Sequence, residues 1–284
     1  MTTKTSELNH LLPRLNINPA LAQRILVEFI RDEVHKTGFK RAVLGLSGGI
    51  DSALVAFLTA EALGKENVKV YRMPYRTSSP NSLSDAQAVI EALGVPHETV
   101  EITDMVEPLF KRFPEMSHQR RGNIMARERM IILYDQSAEF SGLVVGTSNK
   151  TEFLLGYTTI FGDSAAAIQP IADLYKYQIR QLSKYVGVPQ SILDKAPSAD
   201  LWEGQTDEGE LGYSYNLVDQ LLFLLVDERY RPEECVEEGF PKQFVEKVWR
   251  QVRMNHYKRT MPNVPKLSSR TIGHDFLYLR DWAG

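Results

Sequence analysis

The chain has a single cysteine, Cys235, in 284 residues. No intrachain disulfide can form, and no CxxC pair or Cys/His cluster is present to hold zinc. No apolar stretch approaches the roughly 20 residues of a membrane helix, and the opening segment MTTKTSELNHLLPRLNINP lacks the apolar core of a signal peptide. Basic residues do not cluster: Lys and Arg number 33 against 36 Asp and Glu, a net charge of −3. That balance argues against non-specific nucleic-acid binding. Internal repeats and low-complexity tracts are also missing. These absences predict a cytoplasmic protein that engages neither membrane nor nucleic acid. With 43% hydrophobic and 24% charged residues, the chain can bury a full core. One domain over residues 1–284 is expected, with a leading helix and a C-terminal helical extension.

Strand and helix signals alternate along the first half. Leu21, Ile25, Phe29 and Val34 recur at helical spacing, predicting a helix over 18–37. The apolar run 42–46 reads as a strand that stops at Ser47-Gly48-Gly49, and the apolar segment after it reads as a buried helix closed by Gly64. The unit recurs, with a strand over 67–74 and a helix over Ser82 to Leu93, for which Ser82 and Asp85 form the expected capping pair and Gly94 the stop. Strands over 97–102 and 143–147 follow, separated by a long helix from about Gly122 to Phe140. This alternation predicts an α/β fold, a doubly wound parallel sheet with helices on both faces. Ile171, Leu174, Leu182 and Tyr185 suggest a further helical face. Residues 194–212, rich in Asp, Glu, Gly and Pro, read as a long loop, and its part over 198–210 as a lid. Helices near 216–226 and 241–255 complete the pattern.

The segment Gly45-Leu46-Ser47-Gly48-Gly49-Ile50-Asp51-Ser52 lies where a strand hands over to a helix. Small residues let backbone approach a phosphate, and the free N-H groups of the helix N-terminus favour an anion. The GK[ST] ending of a Walker loop is missing, and so is GxGxxG. A bare SGG would be a capped tight turn. The full SGGxDS string, between an apolar strand and an apolar helix, resembles the pyrophosphate loop of the N-type ATP pyrophosphatases, which release pyrophosphate by adenylating an acceptor.

Within that superfamily the chain resembles the ammonia-dependent NAD synthetases. The resemblance rests on the order of several segments: Gly146-Thr147-Ser148-Asn149-Lys150-Thr151-Glu152, Phe161-Gly162-Asp163, Leu174-Tyr175-Lys176, Ala196-Pro197-Ser198-Ala199-Asp200-Leu201, Asp207-Glu208, Leu211-Gly212 and Lys258-Arg259. It implies a Rossmann-like fold, ATP, deamido-NAD and ammonia as substrates, Mg2+ as cofactor, and a homodimer. Residue by residue, it implies that Gly45, Leu46, Ser47, Gly48, Gly49, Ile50, Asp51 and Ser52 bind ATP, together with Thr147, Lys176 and Ser198. Asp51 and Glu152 would be the magnesium carboxylates, Asp51 and Lys176 the catalytic pair, and Arg127 and Lys258 the contacts to deamido-NAD. The chemistry agrees: two hard oxygen ligands suit Mg2+, both acids follow strands and could meet at the carboxyl edge of the sheet, and a mobile lysine could neutralise phosphate charge.

Two departures from the family pattern stand out. Ile160 and Ala167 occupy positions where many members carry a lysine and an aspartate for the substrate, and Tyr257 precedes Lys258 where a histidine is frequent. The rival readings are another N-type ATP pyrophosphatase with a different acceptor, and a non-catalytic nucleotide binder. A binder has no use for Glu152 or for the acidic stretch at 200–210.

Overall fold

A computed structural model of the chain describes residues 5–198, 206–260 and 262–276. Four short strands form one sheet: β1 (Arg41–Gly45), β2 (Val68–Arg72), β3 (His97–Thr99) and β4 (Gly142–Val144). Their order is β3-β2-β1-β4 and every pairing is parallel. The helices are α1 (Pro19–Lys36), α2 (Ile50–Leu63), α3 (Pro80–Leu93), α4 (Thr103–Arg112), α5 (His118–Phe140), α6 (Lys150–Leu155), α7 (Lys176–Val186), α8 (Gln190–Leu193), α9 (Asp207–Leu211), α10 (Tyr215–Leu222), α11 (Pro232–Glu237) and α12 (Lys242–Met254).

The pleat of the strands explains the layering. Successive side chains of a strand point to opposite faces. Ala42, Leu44, Val68 and Val70 join Val27, Ile30, Leu54, Leu58 and Leu182 from α1, α2 and α7 in one core cluster. Val43, Tyr71 and Val144 point the other way and meet Val106, Phe110, Met125 and Ile132 of α4 and α5. Both faces of the central strands are thus covered, as in a doubly wound sheet, while the edge strand β3 is polar and exposed. A third cluster joins α10, α11 and α12 through Tyr215, Val218, Leu222, Cys235, Phe240 and Val248.

Helix α2 is largely buried. Ala53, Leu54, Val55, Ala56 and Leu58 have no solvent exposure, and each such Leu or Val contributes about 1.5–3 kcal/mol by burial. Its buried hydroxyls are satisfied by backbone carbonyls, Thr59 Oγ1 donating to Val55 at 2.7 Å and Ser52 Oγ to Gly49 at 3.0 Å.

Several boundaries differ from the sequence expectation. Helix α3 begins at Pro80 with Ser79 as its N-cap residue. Ser82 and Asp85 are therefore not a capping pair; both are buried and meet Lys195 instead. The expected strand over 97–102 shortens to three residues, because at Ile102 the backbone turns into α4. Helix α4, which contains Pro108, and α11, of only six residues, are not among the helices expected from the sequence. Ile171 and Leu174 precede α7 rather than lie on it, and Tyr185 is exposed. The helix expected near 216–226 starts at Tyr215 and ends in a π-helical segment, Phe223–Asp227. The stretch read as a loop over 194–212 contains α9; residues 199–205, most of the expected lid, lie outside the described residues.

Candidate active site

The handover from β1 to α2 is a constrained loop. Gly48 has φ +76, and a Cβ there would fall 2.2 Å from the Ser82 carbonyl oxygen. Only glycine fits both the left-handed backbone and the close approach. The two serines tie the loop together: Ser47 Oγ accepts from the Gly49 N-H at 3.2 Å, and Ser52 Oγ accepts from the Ser47 N-H at 3.2 Å while donating to the Gly49 carbonyl at 3.0 Å. Gly49 is the N-cap residue and brings no side chain to cap α2. The first-turn N-H groups of a 14-residue helix are thus left to an incoming acceptor, at the positive end of its dipole. Gly45, Leu46, Ser47 and Ser52 line a cavity of about 1010 Å³, at the upper end of the roughly 300–1,000 Å³ of small-molecule sites.

Beside this loop three charged side chains from three elements converge. Lys176, the first residue of α7, donates from Nζ to Asp51 Oδ2 on α2 at 2.5 Å and to Glu152 Oε1 on α6 at 3.4 Å. The ammonium also stands 5.1 Å from the centre of the Tyr215 ring. The lysine side chain is 3% exposed and each carboxylate side chain 16%. Lys176, read from sequence as a mobile catalytic lysine, is a buried ion-pair partner in this structure. Burial alone would lower Lys176, but the two facing carboxylates hold it above the ordinary lysine value. Burial pushes Glu152 up to about 8 against the pull of Lys176, with the Asp51 charge adding to the rise.

Asn149 joins the two acids. Its side chain accepts from the Glu152 N-H at 3.0 Å, while Glu152 Oε2 accepts from the Asn149 N-H at 3.2 Å, a complete capping box for α6. Asn149 Nδ2 then donates to Asp51 Oδ1 at 2.9 Å. Behind them, Asp219 accepts from Thr151 Oγ1 at 2.6 Å and from the Tyr177 N-H at 2.8 Å, binding α6 and α7 to α10. Burial raises Asp219 to about 7. Asp207 of α9 is also buried and accepts from the hydroxyls of Tyr157 at 3.2 Å and Tyr215 at 3.1 Å. Burial holds its carboxyl above the usual range, against the charge of Lys176.

The far part of the cavity carries two basic groups. Arg127 Nε donates to the Ile160 carbonyl at 3.3 Å. Lys258 Nζ donates to the Gly156 and Thr158 carbonyls at 2.7 and 2.8 Å, and burial lowers it despite nearby Asp163. Arg127, Lys258, Thr147, Ile160, Asp163 and Tyr257 all line the cavity. Gly48, Gly49, Ile50, Asp51, Glu152, Lys176, Ser198 and Ala167 are not in that lining; of these, Gly48 to Asp51 lie between the lining residues Ser47 and Ser52, and Ser198 is the last described residue before the gap. Asn149, Asp207 and Asp219 were not singled out from sequence as site residues. The signal for Asn149 was present, an Asn three residues before a Glu at a helix start, and Asp219 is an acid inside the apolar run Leu217 to Leu222.

Comparison with known proteins bears on what this cavity holds. The family described as NAD synthase matches residues 22–262. A protein of Trichlorobacter lovleyi named NH(3)-dependent NAD(+) synthetase is 56% identical over 271 residues, 95% of this chain and 99% of that one. Among solved structures, the NMN synthetase of Francisella tularensis superposes with a TM-score of 0.79 at 33% identity, over 89% of this chain and all of that one. The NH3-dependent NAD synthetase of Campylobacter jejuni, solved with a nitrate ion, gives 0.75 at 33% identity, over 88% of this chain and all of that one.

The charge cluster itself has a stability consequence. Lys176→Met leaves two mostly buried carboxylates facing each other without a cation, and urea denaturation should show a loss of about 3–5 kcal/mol. Adding Glu152→Gln should recover part of that loss. Equal stability of the single variant and the wild type would mean that Lys176 does not neutralise the pair.

Proposed function

The chain belongs to the NAD synthase family, and from that premise and the site we infer that it amidates deamido-NAD with ammonia at the expense of ATP. The nicotinate carboxylate attacks the α-phosphorus of ATP, pyrophosphate leaves, and ammonia displaces AMP from the acyl-adenylate, giving NAD. No covalent protein nucleophile is required; positioning and charge carry the reaction. The observation that carries the assignment is the uncapped N-terminus of α2 behind Ser47-Gly48-Gly49, opening into the cavity beside the Asp51, Lys176 and Glu152 cluster.

In this reading residues Gly45 to Ser52 receive the phosphates on backbone N-H groups and the two hydroxyls. Thr147 and Ser198 add nucleotide contacts, and Arg127 and Lys258 hold deamido-NAD at the other end. Lys176 is positioned to turn from the carboxylates to the phosphates as negative charge gathers on the leaving pyrophosphate. Asp51 and Glu152 fit Mg2+: both are hard oxygen donors and already converge on one cation. No group of three or more His, Cys, Asp or Glu suited to a metal occurs among the described residues, so phosphate oxygens would complete the shell. When bound, the ion would neutralise and orient the phosphates.

Ammonia rather than glutamine is the nitrogen donor. Glutaminase chemistry normally needs an activated thiolate, and Cys235 has no solvent exposure. Burial, with the charges of Glu234 and Glu238, raises its thiol to about 11. We read the whole chain as one synthetase domain acting in the cytoplasm, in accord with its single cysteine and with the lack of a membrane-length apolar helix among the described residues. A homodimer is favoured by exposed apolar residues on the α4 and α5 side: Met105, Leu109 and Phe113 four residues apart, with Ile131 and Tyr134.

Purified protein with ATP, Mg2+, ammonium and deamido-NAD should form AMP and NAD one for one. Absence of AMP would overturn the reading, and preference for nicotinate mononucleotide would move the acceptor towards that of the Francisella neighbour. In the same assay Asp51→Asn or Glu152→Gln should lower AMP formation about a hundredfold or more while the protein stays folded; near-normal turnover would remove that residue from the site. Cys235→Ala should keep ammonium-dependent synthesis, and glutamine freed of ammonia should give no product. Glutamine use that disappears in Cys235→Ala would refute the donor assignment. Light scattering should return twice the 32.3 kDa chain mass, and a monomer at micromolar concentration would contradict the dimer.

A further inference from the structure

We propose that Lys195, which does not line the cavity, is a positioning residue that sets the phosphate loop for ATP by clamping the first turns of α3. Its Nζ donates to Asp85 Oδ2 at 2.9 Å and to Ser82 Oγ at 3.2 Å. The two acceptors lie three residues apart on one face of α3 and are themselves buried. The Lys195 side chain is 27% exposed and that of Asp85 11%, so the pair is shielded enough to hold its geometry. The clamp reaches the loop by direct contact. The Ser82 carbonyl oxygen occupies the space where Gly48 would carry a Cβ, and Ser82 itself lines the cavity with Ser47 and Ser52.

The mechanical order is therefore Lys195, then the start of α3, then Gly48, then the N-terminus of α2. Helix α2 yields little, since nine of its fourteen residues are buried. The glycine, with no side chain and a left-handed backbone, is the deformable link. If α3 drifts, the Ser82 carbonyl ceases to brace Gly48, and the N-H groups of the loop lose their common aim. The consequence falls on ATP, whose phosphates meet those groups, and not on the acceptor bound near Arg127 and Lys258. The segment carrying Lys195 follows α8, so the clamp also ties the part of the chain leading to Ser198 to the opposite lip of the phosphate loop.

This inference rests on residues 45–52 binding ATP phosphates, and the wild-type protein in the same assay tests that reading by itself. For the clamp, KM values for ATP and deamido-NAD, kcat and melting temperature are measured in Lys195→Met, Asp85→Asn, their double variant and Lys195→Arg. Lys195→Met and Asp85→Asn should each raise KM for ATP about tenfold, with KM for deamido-NAD within about twofold of the wild type. The double variant should be no worse than the more severe single one, because both remove the same link. Lys195→Arg should restore most of the ATP affinity, and Asp85→Asn, which keeps the side-chain shape, carries the test if the methionine variant does not fold. An unchanged KM for ATP would overturn the proposal. So would losses that multiply in the double variant, which would put the ammonium on the nucleotide itself. Losses spread evenly over kcat, both KM values and melting temperature would overturn it as well, since they would mark a merely structural ion pair.

Discussion

One buried cation holds the site together. The Lys176 ammonium lies between two carboxylates from separate helices, in a place where a single uncompensated charge is costly. Around it the surrounding structure is organised to keep all three groups at that point. The capping box of α6 fixes Glu152, Asn149 reaches across to Asp51, and Asp219 anchors the starts of α6 and α7 through Thr151 and the Tyr177 N-H. The same arrangement leaves one positive and two negative groups in a small volume. That imbalance invites a further cation, and burial expresses it by raising Glu152 to about 8. A ligand bringing phosphates and a divalent ion would redistribute these charges without requiring the backbone to move.

The overall fold was legible in the sequence because its signals are local. The alternation of apolar runs, the glycines that close α2 and α3, and the SGGxDS string each lie within a few residues of one another, and the parallel, doubly covered sheet follows from them. The geometry of the site was less legible. Lys176 and Asp51 are 125 residues apart, and no periodicity reports that their side chains meet. Whether Lys176 is solvated or paired could not be read for that reason: a Lys at a helix start looks the same in sequence whether it faces water or two acids. Asp85 shows the same limit. It fitted a capping pattern with Ser82, but Pro80 moved the helix start back to Ser79 and turned both side chains inward to Lys195.

The division of labour along the cavity also follows from topology. The loop after β1 and the helix after β4 follow two neighbouring parallel strands, so Ser47, Ser52 and Glu152 share the carboxyl edge of the sheet. The basic groups Arg127 and Lys258 come from α5, which runs through Ser141 into β4, and from the segment after α12. Two of the departures from the family pattern, Ile160 and Tyr257, line the cavity with Arg127 and Lys258, whereas Ala167 does not and donates its N-H to the Val144 carbonyl of β4.

Helix α2 carries the Ser47-Gly48-Gly49 loop on its N-terminus, and nine of its fourteen residues are buried. In a surface helix, a binding terminus can fray or shift while the protein remains folded, and activity then fades gradually with temperature. Here the terminus is the tip of a helix whose Ala53, Leu54, Val55, Ala56 and Leu58 have no solvent exposure. Loss of nucleotide binding and collapse of the core are therefore one cooperative event, and heat inactivation should track global melting instead of preceding it.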